Sequence, residues 1–287
     1  MPTNKIALRT VEEFMSDYVP VYQPIYPLFL GKSQSYSREA GKLDFRRVNA
    51  VGDIRAKHIT PKDTEIRQLS VMEGKKSFKK YFLANQFTLS NFQDREGVEE
   101  VIAQVLDEHQ LQADELLLLG EGTSGSDVVN NGLYWSGDAN YTLESSTVVA
   151  STDGHLPDLH AKMLVTASKA NQVAGRKLMI VYGDTALTKF NGVYASSSMA
   201  YKRVLADVLG PNYSVVELPQ SATPSSANGW IVVNLDQSRL HYSVLPELMA
   251  QGINEEKMYY WSNFLMGSMM LEVLAKNGVI RQPATFA

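Results

Sequence analysis

Residues 115–140 read ELLLLGEGTSGSDVVNNGLYWSGDAN, and their interpretation separates an enzyme from a building block. Gly120, Gly122 and Gly125 spell G-x-G-x-x-G directly after four leucines, with Glu144 about twenty residues beyond. A dinucleotide fingerprint follows a strand and opens a helix, because the helix N-terminus holds the pyrophosphate. Here the leucines close on a long helical pattern, and SDVVNNGLYWSGDAN comes next. Its Asn131-Gly132 and Gly137-Asp138 pairs signal turns, and no apolar stripe recurs at helical spacing. A Walker loop requires Gly-Lys-Ser or Gly-Lys-Thr, and the stretch has no lysine. The glycines read as a turn. The catalytic alternative, a small nucleotide-binding enzyme built on Gly120, Gly122 and Gly125, lacks the context it needs.

Upstream, Val98, Val101, Ile102, Val105 and Leu106 fall at i, i+3, i+4, i+7 and i+8, the apolar stripe of a helix. Glu99, Glu100, Gln104, Asp107 and Glu108 take the other side, by default a solvated face. Ser90 and Gln93 have capping-box spacing, and Gly97 inside the helix costs about 1 kcal/mol relative to alanine. Tyr81, Leu83, Phe87 and Leu89 alternate as one strand face. Residues 36–77 alternate weakly and read as a long two-stranded excursion. Residues 1–35, with Pro20, Tyr22, Pro24, Tyr26 and Pro27, show no period. They read as an extended arm whose aromatics pack on something else.

Downstream, helix and strand alternate. Pro157 starts a helix carrying Leu159, Met163, Leu164 and Ala167 on one face. KLMIVY (177–182), SVVEL (214–218) and WIVVNL (230–235) are strand runs. Tyr201, Val204, Leu205 and Val208 mark a helix stopped by Gly210 and Pro211. The tail from Met258 to Phe286 is aromatic and methionine-rich, helix or strand by period alone. The fold class is α+β.

The 287 residues are 44% apolar and 20% charged, an ordinary globular composition, with no cysteine and hence no disulfide or thiolate chemistry. No apolar run approaches a membrane span, and MPTNKIALRTVEEF lacks the apolar region of a signal peptide. The net charge of −4 hides a segregation. Residues 31–80 hold thirteen bases and six acids, a net +7, whereas residues 81–155 hold one base and thirteen acids, a net −12. Such asymmetry suggests a basic arm that needs an acidic partner, either nucleic acid or another copy of the chain; the plain alternative is a pair of solvated surfaces.

No catalytic constellation emerges. His155 and His160 in HLPDLH stand five apart with Pro157 between them, outside the three- or four-residue spacing of paired metal ligands on a helix. Ser196, Ser197 and Ser198 lie in no G-x-S-x-G elbow and read as caps for the helix that follows. Nucleophile, base and orienter do not assemble, so no enzyme activity, cofactor or metal is expected.

The order of elements is then the informative feature. A basic excursion precedes a strand and a long acidic helix, followed by DELLLLGEGTSG and NNGLYWS. This resembles the major capsid proteins of tailed bacteriophages, the HK-ninety-seven fold, in which a spine helix leads through a Gly-x-Gly turn to a small-residue loop. Asp114, Leu119, Gly120, Gly122, Gly132 and Leu133 stand at the matching positions. The resemblance implies an N-arm at 1–35, an E-loop at 36–80, a peripheral domain at 81–154 and 251–287, and an axial domain at 155–250. The closing GVIRQPATFA is similar to the family's returning strand.

That resemblance implies a structural shell protein assembling in the host cytoplasm into pentamers and hexamers of an icosahedral virion capsid. Packaged double-stranded DNA would be touched non-specifically, and scaffolding, portal and decoration proteins are the further partners. About ninety residues precede the spine helix, which implies no fused scaffolding segment. Encapsulin-type compartment shells share the fold and are the nearest alternative. Arg46, Arg47, Arg55 and Lys57 on the basic arm, with Glu99 and Glu100 on the acidic helix, are the candidate inter-subunit contacts.

Overall fold

The computed structural model describes residues 23–35, 42–50, 71–79, 82–90, 95–121, 130–135, 140–150, 158–193, 199–218, 227–243, 245, 247–254, 259–267 and 269–287. A 3₁₀ turn at Tyr26–Lys32 leads to strand β1 (Gln34–Ser35). Strands β2 (Lys42–Ala50) and β3 (Val71–Lys79) pair antiparallel, from Lys42 opposite Lys79 to Ala50 opposite Val71. This is the two-stranded excursion read from the sequence, and among the described residues no third strand extends it. Strand β4 (Phe82–Ser90) precedes the long helix, Arg95–Leu119. Ser90 is the last residue of β4, paired with Tyr259; the proposed capping box falls on Gln93, which lies outside the described residues.

The four leucines of the opening stretch form the last turn of this helix. Leu116, Leu117 and Leu118 are buried, which is what a helix end apolar on all sides requires. Strand β5 (Gly120–Glu121) then pairs with β6 (Asn130–Asn131), and Leu133–Trp135 forms a short 3₁₀ turn.

The rest alternates as expected. Strands β7 (Tyr141–Leu143) and β8 (Thr147–Val149) precede a helix at Asp158–Ala170, strand β9 (Lys177–Tyr182), and helices at Asp184–Phe190 and Tyr201–Leu209. Strands β10 (Tyr213–Glu217), β11 (Gly229–Asn234) and β12 (Ser238–Tyr242) follow. The tail resolves the helix-or-strand ambiguity in favour of strands: β13 (Glu247–Asn254), β14 (Tyr259–Gly267), β15 (Met269–Val273) and β16 (Val279–Phe286). Together these elements are α+β.

The largest sheet runs β10-β9-β11-β16-β7, with β8 also paired to β16. Strand β16 is antiparallel to β11 on one side; on the other, its first three residues pair parallel with β7 and its last three with β8. Every residue of β9 and β11 is buried, so both faces of the sheet are covered. On one face Met179, Val181, Trp230, Val232 and Ile280 pack with Leu159, Met163 and Ala167 of one helix, Phe190 of the next and Leu205 of the third. Trp230 Nε1 donates to Thr166 Oγ1 at 2.9 Å, which satisfies the one polar atom of the indole. Val208, read as part of the third helix's apolar stripe, is instead 54% exposed.

On the other face Leu178, Ile180, Tyr182, Ile231 and Val233 meet the end of the long helix and the three-stranded sheet β1-β12-β15. Within that small sheet His241 Nε2 and Glu272 Oε2 lie 2.9 Å apart and almost fully buried, a polar pair inside an apolar layer. Ile25, Tyr26 and Phe29 belong to the same core. This corrects the reading of residues 1–35 as an arm packing its aromatics elsewhere: the inner end of that segment is bound to its own chain.

Candidate functional site

The features that the opening stretch singles out converge on one corner, where the long helix ends. Asp114 sits there with no exposure. Its Oδ2 accepts from the backbone N–H of Ile25 at 2.7 Å, and its Oδ1 from the N–H of Tyr26 at 2.8 Å. These are charge-assisted bonds to the start of the 3₁₀ turn, whose first N–H groups have no partner inside the turn. Tyr26 adds a bond from its hydroxyl to Gln110 Oε1 at 2.9 Å, one helical turn before Asp114. Burial and the Asp114 charge both push the Tyr26 phenol up, so it stays a neutral donor.

Immediately past the helix, Gly120 has φ 72°, the left-handed conformation by which helices commonly terminate and which glycine adopts without strain. Gly132 packs directly on this terminus. A Cβ there would overlap the backbone nitrogen of Gly120 and the carbonyl of Leu118. Two backbone segments touch at this point, and only hydrogen fits between them. That is the purpose of the Asn-Gly step in NNGLYWS.

The loop is then fixed to the large sheet. Arg281, on β16, donates from Nη1 to the Tyr134 carbonyl at 2.7 Å, and its guanidinium lies 3.7 Å from the centre of the Tyr134 ring. The Tyr134 and Tyr182 rings meet edge to face at 5.5 Å. Tyr141 sits against the same group, and burial pushes its hydroxyl up to about 12. One cation and three tyrosines thus connect the sheet to the loop behind the helix.

This geometry argues against a phosphate cradle. Gly120 lies at the C-terminal end of a 25-residue helix, where unsatisfied carbonyls and the negative pole of the dipole lie. A pyrophosphate needs the opposite end. Gly122 and Gly125 lie outside the described residues. Titration with NAD or ATP is therefore expected to leave the melting temperature unchanged. A ligand at a hundred times its dissociation constant would stabilise by about 2.7 kcal/mol, so a clear upward shift would overturn the turn assignment.

The remaining sequence candidates are dispersed. Arg46 and Arg47 lie on β2, opposite Lys75 and Gly74 of β3. Glu99 and Glu100 lie in the first half of the long helix. Arg55 and Lys57 fall outside the described residues, as do His155 and Ser196–Ser198. The helix those serines were read as capping starts from Ala200 as its N-cap residue. His160 is buried beside the Tyr201 ring, and burial lowers its imidazole to about 4, so it is neutral at pH 7. Among the described residues no group of three His, Cys, Asp or Glu could hold a metal. Nor is any described helix long and apolar enough to cross a membrane.

Sequence reasoning missed the partners of Asp114 and the Arg281–Tyr134 contact. Asp114 carried a signal of its own. A carboxylate five residues before the last residue of a helix lies toward the dipole's negative end, a placement that calls for donors from elsewhere.

No protein-family model and no curated protein matches the chain. Solved structures do. The capsid of Myoviridae phage XM1 superposes with a TM-score of 0.57 at 12% identity, covering 94% of this chain and 95% of that one. The capsid of the native GTA particle gives 0.55 at 10% identity over 93% of this chain and the whole of that one. The mature capsid of bacteriophage PhiM1 gives 0.52 at 12% identity over 94% and 89%. The fold is that of tailed-phage capsid proteins. It extends over nearly the whole chain, at identities where only the architecture is shared.

Proposed function

We propose that this chain is a structural major capsid subunit that self-assembles into the pentamers and hexamers of an icosahedral head enclosing double-stranded DNA. The observation that carries the reading is the agreement in fold with capsid proteins over more than nine-tenths of the chain. In this reading residues 1–35 are the N-arm, 36–80 the E-loop, 81–154 and 251–287 the peripheral domain, and 155–250 the axial domain. The subunit works by shape and contact rather than by catalysis. Scaffolding, portal and decoration proteins would be its other partners, and the virion its destination.

The β2–β3 ladder supports self-association on physical grounds. A two-stranded sheet is marginal in water by itself, so a pair of nine-residue strands needs a surface to lie on. In the proposed assembly that surface belongs to a neighbouring subunit, and the basic arm meets the acidic long helix there. Arg46 and Arg47 against Glu99 and Glu100 are the proposed pairs. Single exposed pairs contribute about 0–1 kcal/mol, so the effect rests on repetition around a ring.

Electron microscopy of purified protein tests the reading directly, and closed shells of uniform size are the expected result. The double variant Arg46→Glu with Arg47→Glu is expected to slow assembly, followed by light scattering, by about tenfold while monomers stay folded. A wild-type rate in that variant would remove the arm from the contact. Particles that enclose an enzyme in place of DNA would replace the head with a compartment shell.

A further inference from the structure

The chain contains four Asn-Gly steps: Asn131-Gly132, Asn191-Gly192, Asn228-Gly229 and Asn277-Gly278. Asparagine before glycine is the step most prone to lose its side-chain amide spontaneously. Glycine has no Cβ, so its own backbone nitrogen can turn onto the amide carbon that precedes it. The fold treats the four steps differently.

Asn277 is held on several sides. Its Oδ1 accepts from Thr142 Oγ1 at 2.7 Å, its N–H donates to the Asn140 carbonyl, and the Gly278 N–H donates to the Ala275 carbonyl at 2.8 Å. Asn228 Oδ1 accepts from the Ala186 N–H at 3.1 Å, and Gly229 is buried within β11. Gly132 is packed on the backbone of Leu118 and Gly120, which leaves the Asn131 step no room to turn.

Asn191 differs. It is the C-cap residue of the helix Asp184–Phe190, and it is exposed. Its side chain makes one bond, from Nδ2 to Glu217 Oε2 of β10 at 2.7 Å, and among the described residues no donor engages its Oδ1. The Gly192 N–H donates to the Lys189 carbonyl at 3.1 Å, a last-turn bond of a seven-residue helix, and helix ends open locally at low cost.

We infer that Asn191 is a spontaneous modification site, an asparagine that converts in the folded protein to aspartate and isoaspartate. The Gly192 nitrogen, deprotonated by hydroxide, attacks Cγ of Asn191. The new N–C bond closes a five-membered succinimide as the Cγ–Nδ2 bond breaks, and the departing nitrogen takes a proton from water and leaves as ammonia. Water then adds to either ring carbonyl and opens the ring, so no oxidant or reductant takes part. This is a property of the folded subunit and does not depend on the capsid reading.

The product disturbs the contact it replaces. A donor 2.7 Å from Glu217 becomes a carboxylate facing a carboxylate, with Lys202 Nζ, 3.4 Å from Glu217 Oε1, as the cation beside them. The isoaspartate form also adds a methylene to the backbone two residues before the pairing of Val193 with Ala200. Each conversion therefore adds a negative charge and loosens the link between this helix end and β10.

The full chain is incubated at neutral and at mildly alkaline pH, folded and in urea, and peptide mapping by mass spectrometry follows amide loss at all four steps. In urea the steps share the same chemistry and are expected to convert at similar rates. In the folded chain Asn191 is expected to convert at least about tenfold faster than Asn131, Asn228 and Asn277, whose conversion waits on opening of the core. Its rate is expected to rise with pH, as deprotonation of the Gly192 nitrogen requires. Another step converting as fast as Asn191 in the folded chain, or no conversion at Asn191 while the unfolded chain converts, overturns the assignment. Asn191→Asp, which installs the charge of the product, is expected to lower the melting temperature by a few degrees, and adding Glu217→Gln to recover part of that loss. A loss that Glu217→Gln leaves unchanged overturns the repulsion as its cause, with the modification itself decided by the mass measurement.

Discussion

Asp114→Ala is expected to lower the stability of the folded subunit by about 3–5 kcal/mol, because it strands two buried N–H groups at once. Ile25 and Tyr26 each donate to a different oxygen of this carboxylate, at 2.7 and 2.8 Å. Both residues are buried, so water cannot replace the lost acceptor without opening the corner. The expected outcome is detachment of the segment from Ile25 to Ser35, which exposes Ile25, Tyr26 and Phe29 and the apolar pocket they fill. Asp114→Asn is the sharper control: one of its two positions becomes an NH₂ donor aimed at a donor, so a large part of the loss should remain. Urea unfolding of the two variants measures both effects. A loss below about 1 kcal/mol for the alanine variant would mean that the segment is held by its apolar side chains alone.

Gly132→Ala is expected to be at least as damaging, for a steric reason. The added methyl would meet the backbone of Leu118, Leu119 and Gly120, none of which can swing aside as a side chain would. Ordinary overpacking costs about 1–3 kcal/mol because neighbouring side chains give way, and this contact exceeds that range. Soluble yield and melting temperature are expected to fall steeply. Gly31→Ala provides the comparison, since a methyl at Gly31 meets nothing within 4 Å. That substitution should be neutral or stabilising by up to about 1 kcal/mol. Similar melting temperatures for the two variants would show that the Gly132 contact can relax.

The parts of this fold that were legible are those in which local pattern and tertiary role agree. KLMIVY and WIVVN are continuous apolar runs because both faces of their sheet are covered, and such runs read as buried strands without further information. The paired basic excursion was legible from weak alternation and the long helix from its stripe. The segment around Tyr26 was not. Its 3₁₀ turn has no amphipathic period, and it is held by a carboxylate about ninety residues away, a link that local sequence does not encode. At the candidate site Gly120 has the positive φ read for it, Gly122 and Gly125 lie outside the described residues, and Arg281 gave no signal. An arginine in a strand is unremarkable until the strand's neighbours are known.

The position of β16 has a consequence for how subunits are made. Translation delivers this strand after β7, β8, β9, β10 and β11, yet it lies between β11 and the β7–β8 pair. Among the described strands, a nascent chain therefore carries β10-β9-β11 with an unpaired edge, and β7 and β8 without the one partner they share, until β16 has left the ribosome. Long-range closure of this kind is slow, and any chain terminated earlier lacks the strand that joins the halves. Only a copy that includes β16 can complete this sheet. In the proposed assembly, a copy that ends before this strand brings no finished sheet to its neighbours.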